Sequence, residues 1–199
     1  ERYREQFGRP PYEGYGATEL SPVAALNVPD VEFGGRRYVG NKLGTIGRSL
    51  PGMACKVLDV DTGAEVAPGT TGIMLVKGPN VMQGYLANDE ATREALKGEW
   101  YVTNDVVAVD EDGFITITDR LSRFSKLGGE MVPHGAVEEA LQEALGIADR
   151  VVAVSAVADP ARGEKLVVLH TPDAGGEEKL REAIAKAKLP NLWRPSQDA

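Results

Sequence analysis

One cysteine, two histidines and a shortage of positive charge set the first limits on this 199-residue chain. Cys55 has no second cysteine to pair with, which excludes an intramolecular disulfide. Its setting in the strand-like run Met53–Val57 suits a buried, unreactive thiol in a reducing cytoplasm. His134 and His170 have no third ligand in view, so the residues argue against a bound metal other than Mg²⁺. No apolar run approaches the 18 residues or so that a membrane helix needs, and the charged start Glu1–Glu5 has no apolar segment to act as a signal. With 22 basic against 30 acidic residues and a net charge of −8, no Lys/Arg stripe is present to neutralise a nucleic-acid backbone. A small molecule or a protein is left as the partner.

What is present divides in two. From Val39 to Thr118, short β-type runs (Leu43–Ser49, Met53–Leu58, Ile73–Lys77, Tyr101–Val109 and Phe114–Thr118) are separated by turn signals such as Asp61-Thr62-Gly63 and Asp110–Gly113. One helix is expected near Asp89–Leu96, and the two glycines and two tyrosines of Tyr12–Glu19 predict a loop. Beyond Arg120 the pattern changes. Phe124–Leu127 and Glu130–Val132 flank Gly128-Gly129, a tight β-turn, and Val137, Ala140, Leu141, Ala144 and Leu145 recur at helical spacing. Arg150–Ala158 and Lys165–Thr171 read as strands, and Leu180, Ala183, Ile184 and Ala187 as a second amphipathic helix. The expected fold is α+β. A small distorted β-barrel or curled-sheet subdomain (1–120) is followed by a compact α+β carboxy-terminal domain (121–199), with an exposed joint at Arg120–Arg123.

Three places could carry chemistry. Tyr15-Gly16-Ala17-Thr18-Glu19 combines a flat ring, a backbone thinned by Gly16, a hydroxyl and a carboxylate, which together suit a base, a phosphate and Mg²⁺; a plain turn is the alternative. In Trp100–Asp105, Asn104 tolerates a left-handed backbone and would push Asp105 out to accept hydrogen bonds from vicinal hydroxyls; a β-bulge with a solvated Asp is the alternative. Arg120 is either a solvated charge at a strand end or a fork onto sugar and phosphate oxygens. Gly69-Thr70-Thr71-Gly72 imitates a phosphate loop, but it follows Pro68 and runs directly into a strand, so it reads as a turn.

In order and spacing, Tyr15–Glu19, Leu43–Gly52, Gly78–Tyr85, Tyr101–Asp105 and Asp119–Val132 resemble the later motifs of the adenylate-forming acyl-CoA and acyl-acyl-carrier-protein synthetase superfamily. Arg123–Lys126, Gly129–Val132 and Lys77–Met82 look most like the synthetase part of the bifunctional 2-acylglycerophosphoethanolamine acyltransferases. The resemblance implies ATP, Mg²⁺ and a phosphopantetheine thiol, on CoA or acyl carrier protein, as reactants. It implies that Tyr15 stacks on adenine beside Gly16, that Thr18 and Glu19 are catalytic, with Glu19 on Mg²⁺, and that Asp105 and Arg120 hold the ribose. Ser122 becomes the pivot of the smaller domain, and Gly128-Gly129 the turn offered to the thiol. Asn104 and Asp119 stand where relatives usually carry Gly. The implied activity is ligation of a carboxylate, a fatty acid first and an aryl or amino acid second, by a cytoplasmic protein that could work at the inner face of a membrane; a non-catalytic binding module is the rival. The family's phosphate loop and adenylation lysine should lie upstream of Glu1 and past Pro195, so the chain reads as a fragment.

Overall fold

Branched and apolar residues between the turn signals form a curled, half-barrel sheet. Its strands lie in the order Ile115–Arg120, Trp100–Val109, Thr71–Lys77, Ala54–Leu58, and Leu96–Lys97 pairs with Trp100–Val109. The computed structural model describes residues 2–9, 11–160 and 163–195; the chain ends that suggest a fragment, residues 1 and 196–199, lie outside them. Two units are present, Glu1–Thr118 and Asp119–Ala199, each with its own core in a mixed α+β fold. In the first, Leu20, Met74, Val107 and Ile115 are at most 2% exposed. Burial of each such side chain contributes about 1.5–3 kcal/mol before the entropy cost of ordering it. Among the described residues no helix is long and apolar enough to cross a membrane.

Sequence reading and structure part company around a second, smaller sheet. The expected loop at Tyr12–Glu19 holds a short strand, Gly14–Gly16, which pairs antiparallel with Val23–Leu26, and then a 3₁₀ turn at Thr18–Leu20. Gly16 permits this pairing, because a Cβ there would stand 1.8 Å from the Pro22 carbonyl oxygen. The expected strand Leu43–Ser49 shrinks to Arg48–Ser49, with Leu43 79% exposed. Gly47 is the reason. At φ 84° it crosses the backbone of Leu26 so closely that a Cβ would come within 2.0 Å, which no regular strand residue could do. A hairpin of Val31–Phe33 with Arg36–Tyr38 had no clear signal in the sequence pattern.

In the second unit, Phe124–Leu127 and Glu130–Pro133 form a hairpin on Gly128 and Gly129, both at positive φ. The helix His134–Leu145 follows at once and ends on Gly146 in the left-handed conformation, which satisfies the last-turn carbonyls. Strands Val152–Asp159 and Gly163–His170 pair antiparallel, and the helix Glu177–Lys186 follows. Val132, Val137, Leu141 and Leu166, at most 2% exposed, form the centre of this core, with Leu180 and Ile184 against it.

Candidate functional site

The first site feature is a fault in a strand. Opposite Thr71–Lys77, the ladder pairs Ile73 with Val106 and Leu75 with Val102, so Thr103, Asn104 and Asp105 face a single residue, Met74. Asn104 takes φ 59°, the left-handed conformation that an Asn tolerates better than most side chains. The Thr103 hydroxyl closes the bulge, donating to the Met74 carbonyl (2.9 Å) and accepting from the Asp105 amide (3.1 Å). Asp105 does not stand out into solvent as the sequence suggested. It is 3% exposed, and its Oδ2 accepts a 2.5 Å hydrogen bond from the Tyr15 hydroxyl. Burial, then the hydrogen bond to Asp105 and its negative charge, holds the Tyr15 phenol well above its ordinary pKa. A buried carboxylate thus lies at the edge of a half-buried aromatic ring, joined by the one polar atom that the ring carries.

Thr18 and Glu19 sit on the 3₁₀ turn Thr18–Leu20, which follows the strand of Tyr15 directly. The Gly78–Tyr85 segment holds that turn. Asn80 Nδ2 donates to the carbonyls of Leu20 (2.5 Å) and Val23 (2.9 Å), the Met82 amide donates to the Glu19 carbonyl (2.8 Å), and the Tyr85 hydroxyl donates to Glu19 Oε1 (2.8 Å). Among the described residues no three His, Cys, Asp or Glu side chains gather as a metal cage. Glu19 carries a single carboxylate, which is enough for Mg²⁺ only where phosphates and water complete its octahedron. Cys55 takes no part, since burial pushes its thiol up to about 11. Thr103, Asn80 and Tyr85 were given no role by the sequence; the recurring Gly78–Tyr85 spacing was the only pointer to the last two.

Arg120, Ser122, Gly128 and Gly129 belong to the second unit. Arg120 is exposed at the end of its strand, and Ser122 is exposed in the 3₁₀ turn Leu121–Arg123. The joint, expected to be exposed, is bound at its far end. Arg123 reaches Glu138 Oε2 at 2.5 Å and Asp119 Oδ1 at 3.5 Å, and Glu138 also accepts the Val154 amide (2.8 Å). The joint is thereby fastened to the helix His134–Leu145. Gly128 packs 3.5 Å from Leu192, measured from the Cβ it lacks, and Glu130 beside the turn accepts the Trp193 indole N–H at 3.0 Å. Beneath the hairpin, the Ser125 hydroxyl and His134 Nε2 lie 2.6 Å apart, both nearly inaccessible. Burial, then the Arg123 charge, keeps the His134 ring below its ordinary pKa.

Residues 1–86 match the family described as AMP-binding enzyme. A long-chain-fatty-acid–CoA ligase of Salmonella typhimurium is 34% identical over 182 residues, 90% of this chain and 30% of the ligase. A 2-succinylbenzoate–CoA ligase of Geobacillus kaustophilus is 38% identical over 138 residues, 69% of this chain and 26% of that enzyme. Residues 1–86 are thus similar to an AMP-binding enzyme, and the similarity to acid–CoA ligases runs over nearly the whole chain. Acid–CoA ligases are among its homologues, and the chain spans about a third of the length of the fatty-acid–CoA ligases. Among solved structures, ATP-bound MatB from Rhodopseudomonas palustris superposes with a TM-score of 0.70 at 26% identity, covering 98% of this chain and 37% of MatB.

Proposed function

We propose that the protein carrying this chain is an ATP-dependent acid–thiol ligase that activates a fatty carboxylate as its adenylate and passes the acyl group to a phosphopantetheine thiol. The observation that carries the reading is the Tyr15–Asp105 pair, which links the two sheets of the first unit, with the Thr18–Glu19 turn in the same unit. In this reading residues 1–120 are the end of the large AMP-binding domain and 121–199 belong to the small one. Tyr15 lays its ring on adenine where Gly16 leaves the backbone thin, Asp105 takes the ribose hydroxyls with help from Arg120, Thr18 meets a phosphate oxygen, and Glu19 supplies one oxygen to Mg²⁺.

The acid's carboxylate oxygen attacks the α-phosphorus, the bond from that phosphorus to its bridging oxygen breaks, and pyrophosphate leaves with the electron pair. Thr18 would donate a hydrogen bond to the phosphate oxygens on which charge accumulates, and Glu19 would help hold the Mg²⁺ that supplies the opposite charge, the kind of electrostatic stabilisation that dominates phosphoryl-type chemistry. In the second step the thiolate attacks the acyl carbon and AMP leaves. Ser122 would be the pivot that exchanges one orientation of the small domain for the other, and Gly128-Gly129 would lie beside the pantetheine arm. The fatty-acid–CoA ligase relatives support a fatty acid, and the acceptor thiol is that of CoA or of acyl carrier protein, in a cytoplasmic enzyme.

The test is acid-dependent ATP–pyrophosphate exchange by the full-length protein. Exchange with a long-chain fatty acid, followed by acyl transfer to carrier protein or CoA, is expected. Nucleotide binding without exchange for any acid would make the protein a binding module, and exchange with aryl acids alone would overturn the fatty-acid part.

A further inference from the structure

We propose that Tyr85 is a positioning residue for Glu19: its hydroxyl fixes one carboxylate oxygen and so aims the other at a divalent cation. The inference rests on the proposed role of Glu19 and adds to it a second residue, 66 positions away in sequence. A glutamate at a turn carries its carboxylate on freely rotating bonds, and every rotation frozen by cation binding weakens that binding. In this chain the freezing is done beforehand. The Tyr85 phenol donates to Glu19 Oε1, which leaves Oε2 as the oxygen set in direction but not engaged by that bond. Ligating carboxylates that are themselves hydrogen-bonded in this way hold their metal about 10- to 100-fold more tightly than when the outer partner is removed.

Tyr85 is itself held in place. Its amide donates to the Thr92 hydroxyl at 2.9 Å, and that hydroxyl donates to the Asn88 carbonyl at 2.9 Å at the start of the helix Asp89–Ala95. The preceding Gly84, at φ 153°, lies so close to Thr92 that a Cβ would stand 2.8 Å from its Cγ2. At the other end of the segment Asn80 and Met82 are bonded to the main chain of the Glu19 turn, so the phenol and the carboxylate are referred to the same local frame. The phenol is partly exposed, so deleting its oxygen removes little buried contact. An effect on cation affinity can therefore be separated from an effect on folding.

The experiment uses the full-length protein loaded with α,β-methylene-ATP and follows binding of Mn²⁺, as a Mg²⁺ surrogate, by the loss of its free electron-spin-resonance signal. Tyr85→Phe is expected to weaken Mn²⁺ binding by about tenfold or more, with the melting temperature and the metal-free affinity for the nucleotide analogue nearly unchanged. Glu19→Gln should weaken Mn²⁺ binding at least as much, and the double variant should be no weaker than Glu19→Gln alone, since the phenol acts only through that carboxylate. If Glu19→Gln weakens Mn²⁺ binding and Tyr85→Phe does not, the positioning role is overturned while the metal role of Glu19 stands. If Glu19→Gln has no effect, the metal reading itself fails, and the inference with it. Additive losses in the double variant, or a fall of many degrees in melting temperature for Tyr85→Phe, would make Tyr85 an ordinary structural residue and also overturn the proposal.

Discussion

The Tyr15 hydroxyl and Asp105 Oδ2, 90 residues apart in sequence, lie 2.5 Å from one another, joining the strand Gly14–Gly16 to the bulge in Trp100–Val109. The two candidate nucleotide contacts are one hydrogen-bonded unit. Asp105→Ala removes the acceptor from that unit and, in the proposed enzyme, the acceptor for two ribose hydroxyls. Charge-assisted hydrogen bonds contribute about 1.5–3 kcal/mol each, so ATP use in the full-length protein should weaken tenfold or more. Steady-state kinetics against ATP, with circular dichroism as the check on folding, decides it. Unchanged kcat and KM for ATP in a folded variant would return Asp105 to the status of a bulge residue.

Tyr15→Phe tests the bond and leaves the ring. The phenol's pKa is raised in the folded state, so the unfolded chain loses its proton first as pH rises. The stability contribution tied to the protonated phenol is complete below pH 10 or so and falls away as pH climbs through the folded value. The parent protein should therefore lose stability between about pH 10 and 11.5 with a steeper slope than Tyr15→Phe, in denaturant melts at fixed temperature. Parallel slopes would mean that the phenol is not held as described.

The joint gives the third prediction. Ser122→Pro fixes φ at 122 and drives Leu121 away from the helical region it occupies in the turn Leu121–Arg123. In the full-length enzyme, adenylation and thioester formation should change by unequal factors, because one orientation of the small domain is favoured over the other. Ser122 is exposed, so the melting temperature should move by no more than a few degrees. Equal loss of both half-reactions with a large fall in melting temperature would remove the pivot role.

His134 gives a prediction in acid. Its folded pKa is depressed, by burial first and then by Arg123, while Glu138, Asp119 and Glu164 pull the other way. The neutral ring's contribution is present above its unfolded value of about 6.5 and is lost as pH falls through the folded one. Between pH 7.5 and 5.5 the parent should lose more stability than His134→Gln, read as the difference in urea midpoints at the two pH values. A larger loss in the variant would show that the acidic neighbours, not burial, govern the ring.

How far the sequence could be read followed the range of the interactions. The hairpin on Gly128-Gly129 and the helix through Val137, Leu141 and Leu145 depend on neighbours within a few residues, and both were legible. Asn104 announced an irregular strand, yet the side to which Asp105 turns depends on pairing with Thr71–Lys77, which no local signal contains. The expected strand at Leu43 failed because the backbone that Gly47 crosses belongs to Leu26. The Tyr85–Glu19 bond and the Arg123–Glu138 ion pair, likewise, join partners that only the fold brings together.

The bulge at Asn104 also bears on how this site can drift over generations. Between the pairs Ile73–Val106 and Leu75–Val102 this strand carries two residues more than its partner, so removing Asn104 alone leaves one still unpaired and moves the side chains on one side of it by a single place in an alternation of period two. Asp105 would leave Tyr15, and Val107, now with no exposed surface, would be turned out of the core. A change of one residue in length here therefore disturbs the core of the sheet before it can be tried on the ligand. The polar pair is held in place by the apolar residues that share its register.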